Sequence, residues 1–534
     1  MKKMLKKSLV IHTIVAVAVV TGCSQDSKSE SASTSSSPEN FRTTGLPIVE
    51  KQVSLRIPVV KADYHKNWDE MATIRDLEDK TNVNVNWEQI PAASFQEKKN
   101  LMFASGDIPD AFFNGLNSQD VVKYGSQGVL IPLEGLIDKY APNIKKILDE
   151  NPQVRRLATA PDGHIYSIPW FEDKSFFEFR NAFLINKKWL DKLQLKVPTT
   201  TEELYQVLKA FKEKDPNGNG KADEIPATFR HGASTNGYYE LFGAFGVVDA
   251  LTMFSVDNKK VVFDPTQTGY KEGIKFINKL YSEGLFDKET FTQDAKQMLS
   301  KTQSNPQLVG LVASFNGVYE FGNEGVKDYV AIPALKGPNG DQLWRRQDNR
   351  IIQNFFSITS ANKNPEVTMR LVDTMNDPKS VLQFQRGPIG THLKESSDGK
   401  FEVIDAPKGT DTSSWIGSVS PSTALPLMIP KDWVDKLVKN ESDQLRQGFY
   451  EIYKPNIVKE DRAYPNLYLT VDQNNRMSVL NADISTYVRK MEAKWIIDGN
   501  VEKEWDGYMQ ELKKMGIDEM VKIKQAAYDA FIKN

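Results

Sequence analysis

Between residues 53 and 113 the hydrophobic period of the chain changes from two to 3.6 and back, twice. Val53, Leu55, Ile57 and Val59 alternate with Ser54, Arg56 and Pro58, the two-residue repeat of a strand. Met71, Ile74 and Leu77 then share one face of a helix over about 69–80, and Val83, Val85 and Trp87 alternate with Asn82, Asn84 and Asn86 in a second strand. A helix over 95–104 and a short strand at 110–113 follow. The order β-α-β-α-β requires a sheet with helices on its faces and excludes all-helical and all-β architectures.

A second block with the same grammar begins near Tyr166. A strand is expected at 182–186. Thr200 and Glu203 make a T-x-x-E capping box ahead of Leu204, Val207, Leu208 and Phe211, an amphipathic helix over 200–214. A helix at 271–283 carries Ile274, Ile277 and Tyr281, and 308–313 is a continuous apolar run of the kind buried on both faces. A strand at 355–359 precedes a helix that opens at Asn364-Pro365, carries Val367, Leu371 and Met375 inward, and stops at Asp377-Pro378. Helical spacing returns in Ile484, Tyr487, Val488, Met491 and Trp495, and a last helix spans 517–532. The 534 residues exceed one domain of roughly 100–200 residues, so the fold class expected is α/β with at least two lobes.

The first 22 residues contain four lysines and no acid, then a short apolar run over 9–20 that falls short of the roughly 20 residues a membrane span needs. They end in Val20-Thr21-Gly22-Cys23, which resembles a lipobox: cleavage before Cys23 leaves a thiol to carry the lipid anchor. The competing reading is a lone buried cysteine. Eight serines among residues 24–38, with no large apolar side chain, form a flexible tether to about residue 48. The body is then held at the outer face of the cell membrane, anchored to it rather than spanning it.

Beyond the leader, 64 basic residues stand against 70 acidic ones, with no basic stripe for nucleic acid. Cys23 is the sole cysteine, which excludes an intramolecular disulfide, a zinc ribbon and CxxC chemistry. The histidines of the body, His65, His164, His231 and His392, lack metal-binding spacing. G-x-S-x-G is absent, and Gly220-Lys221 lacks both the upstream glycine and the following Ser/Thr of a phosphate loop.

The most specific local motif follows the helix at 200–214. Asp215, Asn217 and Asn219 alternate ahead of Gly220, matching the first half of an EF-hand loop, D-x-[DN]-x-[DN]-G. Calcium takes 6–8 oxygens, and the expected set is Asp215, Asn217, Asn219, the carbonyl of Lys221, Asp223 and Glu224. Pro226 occupies loop position 12, where an EF-hand has its glutamate, so Glu224 takes that role. A single such loop suits a structural ion; the alternative is a metal-free turn of Asp-Pro and Asn-Gly pairs.

Lipobox, serine-rich tether and two α/β blocks together resemble the extracellular solute-binding proteins of ABC importers, and the body is similar to family 1, the oligosaccharide binders. Residues 72–78 (ATIRDLE) with 82–85 (NVNV), and 95–110 (FQEKKNLMFASGDIPD), resemble its first helices and strands, and 215–226 resembles the calcium loop of a large-bodied subgroup that includes alginate and fructo-oligosaccharide binders. The resemblance implies a two-lobe fold with a hinge and extra C-terminal helices. Residues 49–166 plus 329–377 would form lobe 1, and 167–328 plus 378–534 lobe 2. It also implies a monomer that closes on an oligosaccharide and delivers it to permease subunits served by a separate ATPase. No catalysis and no nucleic acid are involved.

Solutes in open α/β sheets sit outside the carboxyl ends of strands. Aromatic rings cover sugar faces and polar side chains satisfy hydroxyls. The candidates that pair these properties after a strand are Asn114, Trp170, Phe171, Phe315, Asn316, Trp344, Arg345, Asn349 and Trp415. Each aromatic among them has core packing as its competing role. Arg345, Arg346 and Arg350 could pair with uronic carboxylates, while neutral fructo-oligosaccharides fit as well. A surface glycoside hydrolase or lyase, and a peptide receptor, are the alternatives.

Overall fold

The alternation that starts at Val53 runs to Lys61, two residues beyond its last apolar member, because the whole length pairs in parallel with its neighbour from Val53↔Val83 to Lys61↔Pro91. In chain order the strands are β1 (Val53–Lys61), β2 (Val83–Pro91), β3 (Ala111–Phe113), β4 (Ile168–Glu172), β5 (Ala182–Asn186), β6 (Ile225–Thr228), β7 (Phe254–Asp257), β8 (Lys260–Phe263), β9 (Val309–Ser314), β10 (Tyr329–Ala331), β11 (Ile351–Ile358), β12 (Leu393–Glu395), β13 (Phe401–Val403) and β14 (Met428–Ile429). The structure is a computed structural model that describes residues 40–348, 350–408 and 410–533. The leader, Cys23, most of the tether and Asn349 lie outside the described residues. Among the described residues no helix is long and apolar enough to cross a membrane.

Two sheets organise the body. The larger has the order β14-β4-β11-β3-β1-β2 and the smaller β10-β5-β9-β6; β7–β8 and β12–β13 are separate hairpins. One apolar core, with Ile57, Trp68, Ile74, Phe113, Phe356 and Val372, surrounds the larger sheet. Another, with Phe183, Leu208, Phe229, Tyr270 and Leu311, surrounds the smaller. These are the two lobes of an α/β periplasmic-binding-protein-like fold. The helices Val471–Asp498, Val501–Met515 and Ile517–Lys533 extend the second lobe, burying Ile484, Trp495, Tyr508, Leu512 and Met520 in its core.

Sheet pairing moves the expected lobe boundaries. β4 belongs to the larger sheet, so the first crossing falls after residue 172 rather than at 167. β10 pairs with β5 in the smaller sheet, and Ile332, Leu335 and Trp344 join that core, so the chain returns to lobe 1 near 345–351 rather than at 329. Val381, Leu382, Leu427, Met428 and Leu437 lie in the first core, so the third crossing comes after 437 rather than at 378. Strands of two or three residues carry no periodicity of their own; only their pairing partners assign them.

Local signals held elsewhere. The Thr200 hydroxyl accepts the Glu203 amide at 3.1 Å, capping the helix Thr201–Glu213. The returning Glu203 carboxylate accepts the amide of Thr199 at 2.7 Å, one residue earlier than the sequence rule places it. Asp377 ends one helix and caps the next, its carboxylate accepting the amides of Lys379 and Ser380.

Candidate functional site between the lobes

The connections between the sheets define which edges face each other. β4 and β3 both run antiparallel to β11, so the carboxyl ends of β1, β3 and β4 share one edge of the larger sheet. β5 runs antiparallel to β9, with Ala182 opposite Ser314, so the start of β5 lies beside the carboxyl end of β9. The chain goes from Glu172 to Ala182 in nine intervening residues, at most about 30–35 Å of extended backbone. The second crossing likewise leads from the end of β10 to the start of β11. Both crossings therefore join carboxyl edges, and the gap between those edges is where a solute binds in such sheets.

The crossings are bound to one another. The Glu172 amide donates to the Arg350 carbonyl at 2.9 Å, and the Gln347 amide to the Glu178 carbonyl at 2.9 Å. Arg350 pairs with Asp348 (2.6 Å) and Asp173 (3.3 Å), and Arg346 with Glu178 (3.3 Å). Lys174 pairs with Glu172 (2.8 Å) and reaches Asp443 of the third crossing (3.5 Å). Arg446 is sealed from water, and its guanidinium donates to the carbonyls of Phe176 (2.7 Å), Phe179 (2.8 Å), Phe315 (2.7 Å) and Arg180 (3.2 Å). Burial, with Arg180 nearby, lowers its pKa to about 9.

Four of the sequence candidates come to the facing edges. Asn114 follows β3 with φ 61°, its amide donating to the Phe355 carbonyl at 2.7 Å. Trp415, half-buried, stacks on His392 at 4.0 Å, and its helix is joined to the loop after β1 by a bond from the Lys66 amide to the Gly417 carbonyl. On the second lobe Phe315 lies under the Arg446 guanidinium, and the Asn316 amide donates to Ser442 at 2.7 Å.

Four others lie in the cores or in a buried ion pair. Trp170 and Phe171 point to opposite faces of β4, and both faces are covered, so both rings are core. Trp344 is stacked on Tyr453 at 3.8 Å and packed edge-on against Phe183, inside the second core. Arg345 is 4% exposed and held by Glu240 at 3.1 Å and Asp249 at 3.8 Å. Burial of aromatic area and pairing of a desolvated charge decide these four.

Two aromatics missed in the sequence stand out by exposure. Tyr64, three residues after β1, is 43% exposed, and Tyr319, five after β9, is 62% exposed. Tyr319 is held outward because the next residue, Glu320, is buried and accepts Ser314 Oγ (2.5 Å) and Asn236 Nδ2 (2.7 Å). Asp63-Tyr64 meets the rule of an aromatic beside a polar residue after a strand, but the apolar alternation stops at Val59, two residues short of the strand's end.

The loop at 215–224 is built around oxygens. Asp215 accepts the amides of Gly218 (2.9 Å), Asn219 (3.1 Å) and Gly220 (3.1 Å), and the side-chain amides of Asn217 and Asn219 donate to Asp223. Those bonds hold the Asp223 carboxyl below its usual range. Glu224 is different: its Oε1 is buried without a partner, and burial, with Asp215 and Asp223 close by, raises its pKa. Among the described residues no three His, Cys, Asp or Glu side chains converge as metal ligands. A lone buried carboxylate oxygen beside two further carboxylates is nevertheless the chemistry a hard cation relieves, so the residues fit calcium.

The chain matches the family described as bacterial extracellular solute-binding protein over residues 62–381. It is 34% identical over 553 aligned residues to the fructooligosaccharide ABC transporter substrate-binding protein FusA of Streptococcus pneumoniae, covering 100% of this chain and 99% of the relative. A solved structure of FusA in complex with kestose has a TM-score of 0.78 at 34% identity, covering 91% of this chain and 100% of that one. An EF-hand mutant of FusA in complex with fructo-nystose is equally similar, at 90% and 100% coverage. The alginate-binding protein AlgQ2, solved without calcium ion, has a TM-score of 0.68 at 26% identity, covering 90% and 99%.

The chain belongs to the bacterial extracellular solute-binding protein family. This is a ligand-binding family without catalysis, and the hydrolase and lyase readings fall with that assignment.

Proposed function

We propose that the protein is the receptor of an ABC importer and captures a neutral fructo-oligosaccharide between its two lobes. The observation that carries this reading is the pair of facing carboxyl edges, each presenting an exposed tyrosine, in a chain 34% identical along its length to a fructo-oligosaccharide receptor. The acidic-sugar alternative loses its support, because Arg345, Arg346 and Arg350 are already neutralised by Glu240, Glu178 and Asp348. A uronate would have to break those pairs. Asn114, Phe315, Asn316 and Trp415, with Tyr64 and Tyr319, are the contacts proposed.

Lobe 1 would comprise about 49–172 plus about 351–437, and lobe 2 about 173–350 plus 438–533. Closure would follow from a sugar that touches both lobes only in the closed state. Asp215, Asn217, Asn219, the Lys221 carbonyl, Asp223 and Glu224 would hold a structural calcium, which when bound supplies positive charge to the carboxylates of that loop. Cys23 would anchor the mature chain, a monomer, at the outer face of the membrane beside permease subunits with a separate ATPase.

Calorimetric titration of the mature chain with kestose, oligogalacturonate and a tetrapeptide tests this. Kestose binding with one site per chain is the expected result. Binding of oligogalacturonate or peptide in place of kestose overturns the assignment of the solute.

A further inference from the structure

Beside the second crossing lies a cavity of about 470 Å³ that includes none of the four strand-end candidates nor the two exposed tyrosines. Its wall comes from both lobes. Arg156 and Leu157 belong to a helix of lobe 1 (Pro152–Ala158), and Tyr464, Tyr528 and Phe531 to lobe 2, with Ile351 between them. The volume lies within the roughly 300–1,000 Å³ of small-molecule sites.

The charges of this wall are settled in all but one place. Arg345 and Arg346 have carboxylate partners, and Asp249 and Asp348 are those partners or their neighbours. Glu460 and Asp461 are exposed at the rim, where water screens them. Arg156 has no carboxylate partner among the described residues. Its Nε is buried without a hydrogen bond, and its guanidinium lies over the Phe531 ring at 5.1 Å. A cation set against an aromatic wall, with no carboxylate partner among the described residues, matches a flat apolar body bearing one carboxylate.

The geometry points to a second ligand site in this cavity, for a small aromatic carboxylate held by Arg156 against Phe531, Tyr464 and Tyr528. An occupant touches both lobes, so it is coupled to any solute that moves them, by the same factor in each direction. The coupling rests on the lobe-closing reading above; the binding itself does not.

Titration of the mature chain with 2-naphthoate tests the site without any sugar present. One saturable site per chain is expected, weakened at least tenfold by Arg156→Gln and by Phe531→Leu, with melting temperature unchanged in at least one of the two. No saturable binding, or binding indifferent to both variants, overturns the proposal. In a second titration at rising kestose concentration the naphthoate Kd should change to a plateau. A Kd that rises without limit means that the two ligands share one site, which also overturns it. A chain that ignores kestose but binds naphthoate through Arg156 overturns the sugar assignment alone.

Discussion

The Arg446 guanidinium lies 4.0 Å from the ring of Phe315 and donates to that residue's own carbonyl at 2.7 Å. The same side chain holds the carbonyls of Phe176 and Phe179, so one buried cation joins the third crossing to the first and to the end of β9. Phe315 is thereby fixed at the cleft edge by a residue far from it in sequence.

Arg446→Met should therefore act on stability and on binding together. Four carbonyls lose their donor, each costing about 1–3 kcal/mol in desolvation, so a loss of at least about 4 kcal/mol is expected by urea unfolding. Kestose affinity should fall as well, since Phe315 loses its support. A variant with unchanged stability would show that water replaces the guanidinium at these carbonyls.

Calcium should raise the melting temperature of the wild-type chain relative to chelator. At a free concentration a hundredfold above Kd the stabilisation is about 2.7 kcal/mol. The double substitution of Asp215→Ala with Glu224→Gln should abolish the difference. Calorimetry with and without calcium checks both statements, and a wild-type chain indifferent to calcium would leave the 215–224 loop a plain turn.

What was legible in the sequence follows the range of the forces that set it. The helix Thr201–Glu213 and the strands β1, β2 and β5 are specified by neighbours within a few residues, and their ends fall within a few positions of where the sequence pattern puts them. The turn at 215–224 has the same local character. β10 and β14 are specified only by the strands they join, and that misplaced two of the three crossings. Trp344-Arg345-Arg346 reads in sequence as a solute-contacting segment. It is half core, because Tyr453 and Glu240 come to it from distant segments. Exposure is likewise a tertiary property, so Tyr319 could not be told from a core ring before Glu320 was seen to be buried.

His65 should make the fold acid-sensitive. Neither ring nitrogen has a hydrogen-bond partner, and burial, with Lys61 nearby, lowers its pKa to about 4. Between that value and the ordinary 6.5 the unfolded chain binds a proton that the folded chain refuses. Stability contributed by the neutral ring is therefore complete above pH 6.5 and lost as pH falls through 4, a change of about 3 kcal/mol at 1.36 kcal/mol per unit. His65→Phe should flatten the fall in melting temperature between pH 6.5 and 4. Parallel curves for the two proteins would assign the acid sensitivity to other groups.

Tyr64 and Tyr319 are the two places where binding can be separated from stability. Both rings are at least 43% exposed, so removing either should cost less stability than the roughly 3–5 kcal/mol of a buried aromatic. If each covers a sugar face in the closed state, Tyr64→Ala and Tyr319→Ala should each weaken kestose binding about tenfold, or about 1.4 kcal/mol. Phenylalanine at either position should restore most of the loss, because the ring face rather than the hydroxyl makes the contact. Titration calorimetry on the four variants decides the point. Loss at Tyr319 with none at Tyr64 would place the sugar on the second lobe before closure. No loss at either would move the contacts to Asn114, Phe315 and Trp415.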